Sequence, residues 1–161
     1  MSGSSANKAY AVQVNGFGLT AGNVNTIWEL NPVTNPFTIC EFAVSCNASV
    51  SSLPVQIDLY TSASVGSSAG NSASVRSLGS TTTTSTTTAR SGFTVEPNPS
   101  TKQLVASWML QPFGGILDIQ YPLGREQGAI GGATTTGRIA LQATAPAGTT
   151  LNVWSYVWFE E

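Results

Sequence analysis

Residues 53–61 read LPVQIDLYT: Leu53, Val55, Ile57 and Leu59 alternate with Pro54, Gln56 and Asp58. Successive residues of an extended chain point to opposite faces, so this alternation specifies a strand buried on one side and wet on the other. The pattern recurs, and nowhere do apolar residues repeat at helical spacing over more than two turns. Segments 8–14, 24–30, 37–46, 53–61, 102–110, 115–121, 137–145 and 150–159 all read as strands. Gly- and Pro-rich turns such as NGFGLTAGN (15–23) and NPVTNP (31–36) punctuate them. The expectation is an all-β, antiparallel sandwich of about eight strands, jelly-roll-like. Residues 1–161 form a single domain on this reading, with a short N-terminal arm (1–8) and a Ser/Thr-rich excursion (62–92).

Strand parity assigns faces. In GRIALQATA, Ile139, Leu141 and Ala143 point inward, and Arg138, Gln142 and Thr144 outward. In FTICEFAVSC, Cys40, Phe42, Val44 and Cys46 share the inner face, while Glu41 breaks the apolar run as an inward carboxylate awaiting an arginine. Two cysteines six residues apart on one strand stand about 20 Å from each other. That is beyond disulfide reach, so both are expected as small buried hydrophobes of a protein made in a reducing compartment. Trp28 and Trp108 are expected in the core. The excursion has two readings: a disordered linker, or an ordered detour whose Thr-rich half (80–89) pairs as an exposed edge strand.

The last strand is different. In LNVWSYVWFEE, Leu151, Val153, Val157 and Phe159 share one face, interrupted by Ser155, and Trp154, Tyr156 and Trp158 occupy the other. Both faces ask for burial. The inner set fills the domain's own core, and the aromatic set is a candidate subunit interface, since interface cores are rich in Trp and Tyr and poor in charge. Glu160 and Glu161 then mark the return to water or to a basic partner.

Little else signals chemistry. Charged residues are 9% of the chain, the net charge is −2, and six cations are scattered, which leaves no basic footprint for nucleic acid or membrane. Histidine is absent, which removes the commonest general base and metal ligand. No nucleophile elbow, phosphate loop or calcium loop occurs, and Asp58 and Asp118 sit at outward positions of alternating strands. The expectation is a protein that is not an enzyme, with no cofactor and no metal. The first ten residues contain no apolar core of a secretory signal, and no run approaches the 18 residues of a membrane helix.

Three stretches carry a resemblance: YPLGRE at Tyr121–Glu126, RIALQATAPA at Arg138–Ala147 and the aromatic strand Trp154–Glu161, with AYAVQVNGFGLTAG (9–22) in support. Together they resemble the small structural head proteins of tailed bacteriophages, notably phages of actinobacteria and thermophiles. The resemblance implies an accessory capsid, or decoration, protein. Such a protein is a trimer of β-sandwiches on the capsid exterior, made in the host bacterial cytoplasm. It bridges neighbouring copies of the major capsid protein and has no catalytic residues. Its partners would be itself and that shell. Trimer contacts would fall to Trp154, Tyr156 and Trp158. Capsid contacts would fall to the arm Ser2–Lys8 and the loop Leu123–Gly131, chiefly Ser2, Lys8, Leu123, Arg125 and Glu126. The alternative is a carbohydrate- or receptor-binding sandwich on a virion surface or tail, with the same aromatics as a stacking platform.

Overall fold

A computed structural model of the chain describes residues 8–47, 53–62, 70–79, 84–97, 102–129 and 137–161. Eight long strands carry the fold: β1 (Ala9–Leu19), β2 (Val24–Asn31), β3 (Phe37–Asn47), β4 (Val55–Ser62), β8 (Gln103–Leu110), β9 (Phe113–Gln120), β11 (Arg138–Thr144) and β12 (Leu151–Glu160). Four short ones lie between them: β5 (Asn71–Ala73), β6 (Val75–Ser77), β7 (Thr88–Ser91) and β10 (Gln127–Ala129). The long strands pair antiparallel as β1-β12-β3-β9 in one sheet and β2-β11-β4-β8 in the other. Along the eight long strands the chain changes sheets at β1–β2, β2–β3, β3–β4, β8–β9, β9–β11 and β11–β12. That four-plus-four order is a jelly roll, two Greek keys folded against each other.

The described part of the Ser/Thr-rich excursion supplies β5, β6 and β7. β7 lies between β5 and β2, so Thr88 and Ala89, the end of the Thr-rich stretch that one of the two readings made an exposed edge strand, pair in an interior strand. β5 and β6 are separated by Ser74 alone and belong to different sheets, so the chain steps across the sandwich there. Gln111 and Pro112 make the corresponding step between β8 and β9 on the opposite side.

The core fills the space between the two inner faces. Tyr10, Val12, Phe37, Ile39, Phe42, Val44, Val153, Val157 and Phe159 meet Trp28, Leu30, Val55, Ile57, Leu59, Ile139 and Leu141, all buried. Each such side chain contributes about 1.5–3 kcal/mol by leaving water. The rings interlock in offset and edge-on geometries: Phe159 stacks on Tyr10 at 5.6 Å and meets Phe37 edge-on at 5.4 Å. Ser155, the polar break in the inner face of β12, accepts the Trp28 indole N–H at 3.0 Å and donates to the Ala43 carbonyl at 2.8 Å.

Several parities differ from expectation, each for a local reason. A bulge in β3 pairs Trp158 with Glu41 and Phe159 with Ile39, skipping Cys40. Ile39 therefore points inward and Cys40 is half-buried beside the core, whereas Cys46 is buried; both thiols are free. Glu41 alternates with inward Phe42 and lies on the outer face opposite Trp158, so it is not an inward ion-pair partner. Leu53 precedes β4 and is 57% exposed. Trp28 is fully buried, but Trp108 lies half-buried at the rim, edge-on to Phe42 at 5.8 Å.

The largest departure is on the outer face of the second sheet. Arg138 and Gln142 point outward from β11 yet are buried, Arg138 at 3% exposure. Arg138 donates to Glu29 on β2 at 2.6 Å, in the buried ion pair expected of Glu41. Gln142 donates to the Thr26 hydroxyl at 3.0 Å and accepts from Lys102 at 2.5 Å. A bulge between Leu141 and Gln142 in the β2 pairing leaves the Thr26 N–H free for the Glu96 carboxylate, which accepts it at 2.6 Å. Residues after β7 thus reach back over this face, and outward does not mean wet.

Glu161 also has an internal role in place of the expected exposure to water or a partner. Its carboxylate accepts from the Thr86 N–H and hydroxyl at 3.0 and 2.7 Å, and from those of Thr87 at 2.6 and 2.8 Å. Burial alone would raise its pKa, but these hydrogen bonds to the charged form prevail and hold the carboxyl below its ordinary value. A depressed folded pKa contributes stability above the unfolded value that is lost as pH falls through the folded one. The urea midpoint should therefore drop on acidification through the carboxylate range by more in the native chain than in Glu161→Gln, and the two should converge at the acid end. Parallel curves would show that the contact carries no proton linkage.

Candidate interaction face

The outer face of the first sheet is built from β1, β12, β3 and β9. Across it, Trp158 lies between Ala11 and Glu41, Tyr156 between Gln13 and Ala43, and Trp154 beside Ser45. Beyond β3 the rows end on Gln120, Asp118 and Ile116. Each aromatic has a small neighbour across the ladder, which leaves space for its ring along the sheet. Tyr156 and Trp158 rings lie 5.6 Å apart at 40°. The Tyr156 hydroxyl donates to the Glu41 carboxylate. That bond, then burial and the charges of Glu41 and Asp118, push the phenol up to about 12. Trp158 is 42% exposed, and Trp154 and Tyr156 are half-buried. The inner face of β12 completes the core without any of the three.

The residues expected at a capsid contact are partly gathered at the Trp158 end. Lys8, exposed, donates its N–H to the Glu161 carbonyl at 3.2 Å and so begins the β1–β12 ladder. Tyr121 donates to the Cys40 carbonyl at 2.9 Å, which starts the 122–126 turn beside Glu41. Within the turn Arg125 donates its N–H to the Pro122 carbonyl, and the Glu126 carboxylate accepts the Gly124 N–H, both at 2.9 Å. Leu123 at its tip is 97% exposed. Burial pushes the Cys40 thiol up, and the nearby charges of Glu160, Glu126 and Glu41 add to it. Ser2 and most of the 128–137 loop lie outside the described residues; Gln127–Ala129, read as loop, pairs with Phe37–Ile39 as β10.

Trp154 belongs to a different neighbourhood toward the other end of the strand. Val14 pairs with Ser155 and Phe17 with Val153, so Trp154 stands opposite two residues, Asn15 and Gly16. This is a bulge, and Gly16 takes the left-handed conformation it needs, with φ 64°. Two concavities flank Gln13 and Asn15 there. One, of about 220 Å³, is walled by Trp154, Tyr156 and Ile116. The other, of about 460 Å³, runs past Ser74, Arg76 and Ser91, and both are lined by Gln13 and Asn15. The aromatics are legible by their surplus on the last strand, but the bulge beside Trp154 depends on pairing between distant strands and has no local signature.

Asp58, outward on β4 as expected, accepts from Gln56 at 3.0 Å and from Ser107 at 2.5 Å. Among the described residues no three acids or cysteines converge as metal ligands, and no helix is long and apolar enough to cross a membrane.

No protein-family model matches the chain, and no curated protein matches it. Solved structures similar to it include two of infectious bursal disease virus, the Gt strain (14% identity) and the Gx strain (16%), each with a TM-score of 0.28 over 98% of this chain. The crystal structure of the VP2 subviral particle of that virus is similar at 14% identity, with a TM-score of 0.27. The chain spans about two fifths of the length of these structures. At those TM-scores the likeness is weak and carries no argument. Strand order and pairing define the class directly: an all-β jelly-roll sandwich with an aromatic outer face.

Proposed function

We propose that this chain is a non-enzymatic structural protein of a virion, a capsid decoration protein that trimerises and binds the outer surface of the major capsid protein shell. The observation that carries the reading is the aromatic outer face of β12, led by a Trp158 42% exposed beside Tyr156 on a sheet whose core needs neither. Exposed tryptophan in a charge-poor chain matches the composition of interface centres. The resemblance of the 121–126 and 138–161 stretches to phage head proteins supports the same reading. The contact surface is centred on Trp158 and Tyr156, with Trp154 at its margin. Lys8, Leu123, Arg125 and Glu126, exposed or half-exposed at the same end, are the capsid-contact residues among those described, and Ser2, outside the described residues, is proposed with them.

Native mass spectrometry should give a trimer for the native chain, and the protein should co-sediment with empty phage heads. Trp158→Ala combined with Tyr156→Ala should shift the mass to monomer and lower head binding by at least tenfold. An unchanged mass and unchanged sedimentation would overturn the interface assignment. Leu123→Asp should reduce head binding alone and leave the trimer intact.

A further inference from the structure

Two grooves flank Gln13 and Asn15 beside Trp154, and Tyr156, part of the contact surface proposed above, walls one of them. We propose that they bind an acidic glycan, with a sugar ring stacked on Trp154 and its carboxylate met by Arg76. The chemistry follows from what lines the two concavities. A pyranose ring has an apolar face of C–H groups that packs on an aromatic surface, and Trp154 with Tyr156 and Ile116 supplies such a wall. Its hydroxyls need groups that both donate and accept, and Gln13 and Asn15, whose carboxamides line both concavities, supply them, with Ser74 and Ser91 further along the second. A few placed polar groups around an apolar wall, in a cleft of several hundred Å³, is the general form of a small-ligand site.

Charge selects the acidic class. The chain carries eight carboxylates and six cations, yet no acid lines either concavity and Arg76 lines one. Arg76 is exposed on β6, opposite Ala11, and no carboxylate among the described residues forms an ion pair with it. A guanidinium in that state offers a two-pronged donor to a carboxylate. The bulge at Asn15–Gly16 belongs to the same design: a Cβ at Gly16 would stand 3.8 Å from Trp154 Cζ2, and the φ of 64° disfavours any other residue there. Bulges re-aim side chains and concentrate next to functional sites.

The test uses the full chain, titrated with sodium glucuronate, N-acetylneuraminic acid and glucose, and followed by tryptophan fluorescence and protein-observed NMR. An array of acidic and neutral oligosaccharides extends it. The acidic sugars should saturate and bind at least tenfold more tightly than glucose, and the preference should fade in 1 M salt. Trp154→Ala should abolish binding, Arg76→Gln should reduce acidic sugars to the level of glucose, and Trp158→Ala should leave binding unchanged. Should Trp154→Ala fail to fold, the exposed pair Gln13→Ala and Asn15→Ala takes its place, with the same expected loss. A flat array, equal affinity for neutral and acidic sugars, or binding indifferent to Trp154 and Arg76 would overturn the proposal. So would an oligomer that shields Trp154 from a soluble quencher and takes up no sugar. None of these readouts is the subunit mass or head binding, so failure of this site and failure of the assembly reading are told apart even though both use Tyr156.

Discussion

Arg138→Met should lower the stability of the folded chain by about 3–5 kcal/mol, the usual cost of leaving one member of a buried ion pair alone. Glu29 would remain at 2% exposure with its carboxylate stripped of the guanidinium 2.6 Å away. The double variant Glu29→Leu, Arg138→Met should recover most of the loss, because an apolar pair of similar volume leaves no uncompensated charge. The Arg138 Nε itself has no hydrogen-bond partner among the described residues, so they do not fully satisfy the native pair. Its worth lies in not being broken more than in net stabilisation. Urea unfolding of the two single variants and the double measures this directly. A double variant as unstable as the singles would mean that packing, not charge, governs the site. Asp58→Asn is the contrast, since its partners are exposed and the expected change is within about 0.5 kcal/mol.

That pair also marks the limit of reading faces from alternation. The eight long strands and their jelly-roll arrangement were legible because their inner faces are nearly uniform in apolar residues, from Val12 and Val14 to Val157 and Phe159. Parity failed at Cys40, where an extra residue in β3 reverses the faces of the residues before it relative to those after it. It also failed on β11, where Arg138 and Gln142 read as solvated. A polar side chain in water and one in a covered polar layer look alike in sequence. The cover comes from Glu96 and Lys102, remote along the chain from Thr26 and Gln142. Of the short strands, β7 overlaps the end of the Thr-rich stretch that one reading made a strand, whereas β5 and β6, three residues each, are too short to show an alternation. On the candidate site, Trp154, Tyr156 and Trp158 announced themselves by making the last strand apolar on both sides. Their division between an exposed end and a groove depends on the bulge in β1, at the other end of the sequence.

Trp28→Ala should be the most damaging single change in the core, at about 3–5 kcal/mol for a buried Trp truncated to Ala. Part of that is hydrogen bonding, because the indole N–H ends on Ser155 Oγ, which in turn reaches the Ala43 carbonyl. Ser155→Ala removes few atoms but orphans both a donor and an acceptor, so it should cost about 1–3 kcal/mol, well above an ordinary small-for-small change. Combined with Trp28→Phe in a double-mutant cycle, the coupling should be about 0.5–1.5 kcal/mol. Additive values would place the hydroxyl's role in its bond to Ala43 alone. The comparison that matters for function is with the next face of the same strand. Ser155 sits between Trp154 and Tyr156, so the chain that fixes the Trp28 bond also fixes the register of the outer aromatics. Trp158→Ala should leave the melting temperature of the dissociated chain nearly unchanged while Trp28→Ala collapses it. If instead Trp158→Ala destabilises the isolated chain by more than about 2 kcal/mol, Trp158 is part of the fold and not of a surface kept for a partner.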